Sequence, residues 1–155
     1  FLRYTLDQDP MKKVTLRQEL DALNLYLGIE QLRFGDRLRL EFEVAEAAYS
    51  GLVPSLILQP LVENALKYAV APREEGGRLR IIAQLESGHL KLVVADDGPG
   101  LPVGVELGTG RGVGFRNTRE RLAALYGEHQ TLAVRFSRPG LRIEITLPFE
   151  RAVQP

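Results

Sequence analysis

Asn64, Lys67 and Tyr68, in the stretch "LQPLVENALKYAV" (58–70), stand at i, i+3 and i+4, so an amide, an ammonium and a phenol share one face of any helix formed there. The other face is apolar, with Leu58, Leu61, Val62, Ala65, Leu66 and Ala69 at helical spacing. A further polar group stands out in "LKLVVADDGPG". Leu90, Leu92 and Val94 alternate along a strand, and the period of two puts Asp96 on the same inward face where the strand ends. A carboxylate in that phase can cap the "DDGPG" turn, or it can accept a hydrogen bond from a ligand's amine. Gly98 and Gly100 remove the side chains that would keep a flat ligand off the backbone, as an adenine pocket requires. Further on, "GRGVGF" sets Gly110, Gly112 and Gly114 on alternate positions before a helix expected from about Arg116. Amides of such a turn point inward and the helix N-terminus adds more, so a polyphosphate is well accommodated; a glycine linker without a ligand is the alternative. Two other phosphate loops are excluded. The chain has no Gly-Lys dipeptide for a Walker loop, and "GTGRGVG" does not fit the GxGxxG spacing of a dinucleotide fold.

These groups need elements to position them. With 155 residues, 45% of them hydrophobic, the chain is sized for one domain with a full core. Thr15 with Gln18 makes a capping-box start, and Leu16, Leu20, Leu23, Leu27 and Phe34 trace one face of a long helix ending near Gly35. In "RLRLEFEV", Leu38, Leu40, Phe42 and Val44 alternate with charged residues, as in a strand with one wet face. The helix at 58–70 follows. After the Gly76-Gly77 break, strands at 79–85 and 90–94 are joined at Ser87-Gly88 and read as a hairpin. Residues 98–114 hold seven glycines and two prolines and are read as a mobile loop. "RNTRERLAALYG" restarts a helix that stops at Gly127, and strands at 132–136 and 141–147 form a last hairpin around Pro139-Gly140. Hairpins mixed with helices predict an α+β fold, a two-layer α/β sandwich whose mixed, mostly antiparallel sheet is covered by helices on one face.

Composition removes several classes of partner. Lys plus Arg is 20 and Asp plus Glu is 20, so no net basic field draws the chain onto nucleic acid or a charged membrane. Cysteine is absent, which excludes disulfides and thiolate metal sites and fits a reducing compartment. The longest uncharged run, Ala47 to Val62, is short of a bilayer span and is broken by Pro54 and Pro60, so no direct membrane contact is expected. No signal peptide is seen and the first residue is Phe1, so the sequence reads as a piece of a longer protein.

Taken in order, the helix with Asn64, Lys67 and Tyr68, then "DDGPG" at a strand end, then "GRGVGF" before a helix, resemble the ATP-binding fold shared by gyrase, the heat-shock chaperone, histidine kinases and mismatch-repair ATPases. Within that superfamily, "IEQLRFGDRL", "PSLILQPLVENALKYAV" and "GFRNTRERLAALYG" resemble the sensor histidine kinases of the autolysin-sensor class, over nearly the whole chain. The resemblance implies ATP and Mg²⁺ as ligands: Asn64 helps hold Mg²⁺ on the phosphates, Lys67 contacts phosphate, Tyr68 lines the nucleotide site and Asp96 accepts from the adenine amino group. It assigns Gly98, Gly100, Gly110, Gly112 and Gly114 to two glycine boxes, with Phe115 following the second, and residues 101–113 to an ATP lid. The chemistry suits those roles. Mg²⁺ takes oxygen ligands and keeps waters, so one amide oxygen with phosphate oxygens suffices, and an aspartate acceptor discriminates adenine from guanine.

Two positions depart from the superfamily pattern. Pro60 stands where gyrase-like and chaperone-like members have a general-base glutamate, four residues before the asparagine, and Glu63 is adjacent to Asn64 instead. Glu63, about 100° around the helix from Asn64, is a catalytic candidate whose role stays open between orienting the incoming nucleophile and bonding to nearby backbone. The Gly-Thr pair usual near the last hairpin is Gly140-Leu141 here, so one polar contact to the adenine region is either missing or supplied by Thr146 or by water, and Leu141 is not expected at the site. His89 and His129 flank turns and are read as surface residues. The resemblance puts the phosphoaccepting histidine upstream of residue 1, on the same chain or a dimer mate. Residues 1–14 are then the tail of that segment, 15–150 the ATP-binding domain and 151–155 a C-terminal tail. It also implies a response regulator as the next acceptor, a cytoplasmic location and a membrane-anchored parent. The leading reading is the catalytic half of a two-component sensor kinase, transferring the γ-phosphoryl group of ATP to a histidine outside these residues; the alternatives are a nucleotide-gated dimerising ATPase and a non-catalytic ATP sensor.

Overall fold

The computed structural model describes residues 11–99, 113–136 and 139–152. Strand β1 (Lys13–Thr15) runs directly into helix α1 (Leu16–Phe34). The capping box forms as read: the Gln18 N–H donates to Thr15 Oγ1 at 3.2 Å and the Thr15 N–H donates to Gln18 Oε1 at 3.0 Å. Gly35, at φ 58°, ends the helix. One side of α1 buries Leu16, Leu20, Leu23 and Leu27, while Leu25, Ile29 and Leu32 lie exposed on the other.

Strand β2 (Leu38–Val44), a short 3₁₀ segment (Glu46–Ser50) and strand β3 (Leu52–Pro54) lead to helix α2 (Gln59–Ala65). α2 widens into a π-helical turn over Leu66–Val70, where the Ala71 N–H donates to the Leu66 carbonyl at 2.8 Å. Strands β4 (Gly77–Glu86) and β5 (His89–Asp96), helix α3 (Val113–Tyr126) and strands β6 (Thr131–Phe136) and β7 (Leu141–Pro148) complete the chain. The main sheet has the order β2-β4-β5-β7-β6; β2 pairs parallel to β4 and the remaining pairs are antiparallel. This is the mixed, mostly antiparallel sheet expected. β1 and β3 form a separate two-stranded sheet that sequence reading did not find, because three-residue strands are too short to show alternation. It ties Lys13 and Val14, assigned above to an upstream tail, to Pro54 and Val53. The loop expected at 98–114 lies almost wholly outside the described residues, and α3 begins at Val113 rather than Arg116, so Gly114 belongs to its first turn.

Period-two alternation sorts the sheet into an apolar face and a mixed one, on which charged pairs surround a small buried cluster of Ile82, Val93 and Ala95. Leu79, Ile81, Leu92, Val94, Ile143 and Ile145 face the helices and are buried. On the other face Glu41 pairs with Arg78 and Arg80, and Glu144 lies between Lys91 at 3.1 Å and Arg135 at 2.7 Å. Burial works to raise the Glu144 carboxyl, but the bonds and charges of Lys91 and Arg135 prevail and hold it below the usual range.

The position of α2 rests on two long-range side chains. Glu19 of α1, only 3% exposed, accepts from the Leu56 N–H at 2.8 Å and the Leu58 N–H at 2.9 Å. These are backbone groups of the turn that enters α2, and Leu56 is held there at φ 59°, a conformation L residues rarely adopt. At the other end, Arg37 donates from Nη2 to the carbonyls of Ala71 at 3.1 Å and Arg73 at 2.7 Å in the turn that follows the helix, where the Arg73 carbonyl also accepts from the Gly76 N–H at 2.9 Å. Burial pushes the Glu19 carboxyl above the usual range, with the Leu58 and Leu56 amides pulling it back. A raised folded-state value means the native chain holds this proton more tightly than the unfolded chain, so Glu19 contributes most below the ordinary glutamate range and less as pH rises through its folded value. Glu19→Ala is expected to lower the unfolding free energy by about 2–4 kcal/mol, because two amides lose their acceptor in a dry site, and to remove that pH-dependent component. Urea unfolding of parent and variant between acid and neutral pH checks both.

Candidate functional site

The inner end of β5 and the outer turns of α2 enclose a cavity lined by Leu61, Asn64, Ala65, Tyr68, Val94, Asp96, Leu141 and Ile143. Three of the residues singled out from sequence, Asn64, Tyr68 and Asp96, thus converge on one space. Asn64 and Tyr68 are half-buried, one helical turn apart on α2, and Asp96 closes the floor where β5 ends. The turn-capping bond of Asp96 forms, Oδ1 accepting from the Gly98 N–H at 2.9 Å, and the side chain also borders the cavity.

Lys67 is not brought to this cavity. It lines a second groove, between α1 and α2, with Tyr26, Glu30, Arg33 and Glu63. The physical reason is angular: Lys67 lies about 100° around the helix from Tyr68 and close to the phase of Glu63, and the chain widens to π spacing at Leu66. Its ammonium sits 5.3 Å from the centroid of the Tyr68 ring. Thr146 is a correction of a different kind. It occupies the opposite face of β7 from Leu141 and Ile143 and pairs with Lys91, five residues along from the cavity end, whereas Leu141 pairs with Asp96 and lines the cavity. Leu61, Ala65 and Ile143 were likewise missed as walls. The signal for Leu141 and Ile143 was available, since they share the phase of the buried strand face. Phe115 is buried in the core at the start of α3, with the Arg119 guanidinium 5.2 Å from its ring centroid. Gly100, Gly110, Gly112 and the expected lid at 101–113 fall outside the described residues, apart from Val113 itself, the first residue of α3.

Close backbone approach builds the floor. A Cβ on Gly98 would lie 2.5 Å from Ala69 Cβ and 2.8 Å from Ala69 Cα, so the turn after Asp96 packs directly on the π-helical turn of α2. Gly140, at φ 119°, brings the tip of the last hairpin against the Asp96 carbonyl, which a Cβ there would overlap. Asp97 locks the same corner, accepting from the Arg78 N–H at 2.8 Å and from Arg73 Nη1 at 3.3 Å. His89 opens β5 at the end opposite Asp96, about 23 Å away at strand rise, and His129 precedes the β6 end that pairs beside it; both are exposed.

An amide, a phenol and a carboxylate around an apolar slot suit a flat, amine-bearing ligand. For a hydrated divalent cation the Asn64 amide oxygen is the available donor, and the described residues contain no cluster of three or more His, Asp or Glu able to hold a metal without help from a ligand. Residues 52–151 match the family described as "Histidine kinase-, DNA gyrase B-, and HSP90-like ATPase", and residues 1–38 match the family "Histidine kinase". The sensor histidine kinase YesM of Bacillus subtilis is 37% identical over 92% of this chain and 26% of its own length. The sensor protein LytS of Staphylococcus saprophyticus is 29% identical over 96% of this chain and 27% of its own. The chain therefore spans about a quarter of the length of these curated relatives. The catalytic domain of the histidine kinase ThkA has the same fold, with a TM-score of 0.70 at 15% identity, covering 91% of this chain and 98% of that one.

Gly98→Ala is expected to cost about 1–3 kcal/mol of stability, because neither backbone can retreat. Gly28→Ala, in the exposed middle of α1 where a Cβ meets nothing within 4 Å, should instead stabilise by roughly 0.5–1 kcal/mol. Thermal unfolding of the two variants side by side checks that the penalty belongs to the Ala69 contact and not to glycine replacement in general.

Proposed function

Since the chain belongs to the family of histidine kinase-, DNA gyrase B- and HSP90-like ATPases, as the ATP-binding catalytic domain of a sensor histidine kinase, we propose that it holds ATP with the adenine amine on Asp96 and passes the γ-phosphoryl group to a histidine outside these 155 residues. The observation that carries this is the convergence of Asn64, Tyr68 and Asp96 on one cavity. Leu141, Val94 and Ile143 supply the apolar contact that a purine ring needs, and the Gly98 bond fixes the Asp96 carboxylate in orientation. A carboxylate accepts from the exocyclic amine of adenine and has nothing to offer the carbonyl of guanine. Mg²⁺ would be held by the Asn64 amide oxygen together with phosphate oxygens, and supplies charge neutralisation for the departing ADP. Lys67, outside the cavity, is the cation able to reach a phosphate that projects over the rim of α2. The glycines at 100, 110 and 112, with Gly114 in the first turn of α3, are proposed as the remainder of the phosphate cradle, with residues 101–113 as its lid.

In-line transfer needs the acceptor nitrogen next to the γ-phosphorus, and His89 and His129 stand at the far end of the sheet, so the acceptor belongs to another segment of the parent protein or to a dimer mate, and a response regulator receives the group next. Hydrolysis is disfavoured by Pro60. It stands in the first turn of α2 at the place of the general-base glutamate and has no group that can take a proton from water.

Asp96→Asn is expected to weaken ATP by roughly 10- to 100-fold, the equivalent of a lost charged hydrogen bond, while leaving GTP binding at its low level. Asn64→Ala should abolish the Mg²⁺-dependent part of ATP affinity. The 155-residue chain with γ-labelled ATP should bind but not label itself; a longer protein that includes the preceding segment should acquire acid-labile, base-stable phosphate. Undiminished adenine selectivity in Asp96→Asn, or label on His89 or His129, overturns the reading.

A further inference from the structure

Glu63 is adjacent to Asn64 yet points elsewhere, and its surroundings show what it can meet. Gln59, 5% exposed, donates from Nε2 to Glu63 Oε1 at 3.0 Å, so a buried amide holds an exposed carboxylate in one orientation. The carboxylate stands on the rim of the groove between α1 and α2, whose titratable and charged members are Tyr26, Glu30 and Arg33 from α1 and Lys67 from α2. The two cations are engaged elsewhere: Arg33 pairs with Glu30 at 3.6 Å, and the Lys67 ammonium lies over the Tyr68 ring. Tyr26 is no base. Burial, reinforced by the charges of Glu30 and Glu63, pushes its phenol up to about 12, so it stays protonated.

We propose that Glu63 is the proton acceptor for the incoming histidine, positioned by Gln59, in the phosphoryl transfer read above, on which this inference rests. A glutamate four residues before Asn64 would lie about 40° from it around the helix; Glu63 lies about 100° from it, exposed on the groove between α1 and α2, on the side open to a segment arriving from outside. A neutral imidazole carries one lone pair and one N–H. The lone-pair nitrogen forms the bond to the γ-phosphorus as the bond to the β,γ-bridging oxygen breaks and ADP leaves with that electron pair. The proton on the other nitrogen passes to the Glu63 carboxylate and then to solvent. Orientation by Gln59 matters because the carboxylate must meet an N–H whose place is set by the opposite nitrogen.

The test uses the longer protein that carries the acceptor histidine, at saturating ATP, with ATP affinity measured on the same variants. Glu63→Ala should slow phosphohistidine formation by about 10²-fold and shift the ATP dissociation constant by less than about threefold, and added formate or acetate should restore part of the rate. Glu63→Asp should fall between, and Gln59→Leu, which leaves the carboxylate present but unanchored, should slow transfer by about tenfold without rescue. The reverse reaction, ATP formation from phosphohistidine and ADP, should slow in the same proportion. Labelling of Glu63→Ala within about threefold of the parent, loss of ATP affinity in step with rate, or a slow Glu63→Ala that neither formate nor acetate restores would each overturn the assignment. A parent protein that binds ATP but never labels would instead break the phosphotransfer reading itself.

Discussion

The buried Glu19 carboxylate is the interaction on which the site depends. It reaches from α1 to the Leu56 and Leu58 amides and fixes the turn from which α2 departs. A negative group at a helix start also meets the positive end of the helix dipole, so this ion is less costly than its burial alone would make it. Everything on α2 inherits its place from that anchor and from Arg37 at the far end. The π-helical turn then lays Ala69 against Gly98, and that contact sets the height of Asp96 relative to Asn64 and Tyr68. These contacts, from α1 to the end of β5, therefore define the cavity.

Local pattern made part of this legible. The helical period located Asn64 and Tyr68, and the strand period located Asp96, because each side chain's direction follows from its neighbours' burial. Lys67 was grouped with them wrongly in space, since simple spacing takes no account of a helix that widens at Leu66. Thr146 was chosen for its hydroxyl although its phase puts it on the mixed face, and Leu141 was set aside although its phase puts it in the cavity; residue type outweighed period, and the period was right. Glu19 could not have been found. Its partners are 37 and 39 residues away and are backbone amides, which leave no trace in residue identity. The β1 and β3 pairing escaped for the same reason, as a long-range contact between strands of three residues.

The two flanks of α2 divide the chemistry. One flank, with Asn64 and Tyr68, faces an apolar slot closed by Asp96, and the other, with Glu63 and Lys67, opens onto a charged groove shared with α1. In the transfer proposed above, the nucleotide occupies the slot and the acceptor's proton leaves by the groove. The mixed face of the sheet takes no part in this division. Its arginines are neutralised by Glu41, Glu43 and Glu144, which keeps a surface rich in cations from acting as an anion site.

The central claim is that α2 and the end of β5 grip one nucleotide between them, and a crystal structure of the chain with Mg²⁺ and a non-hydrolysable ATP analogue tests it most directly. The expected result is the exocyclic amine of adenine within about 2.7–3.2 Å of an Asp96 carboxylate oxygen, the ring against Leu141 and Ile143, and the Asn64 amide oxygen bound to the cation on the phosphates. Adenine bound away from Asp96, or a cation held with Asn64 turned to solvent, would contradict it.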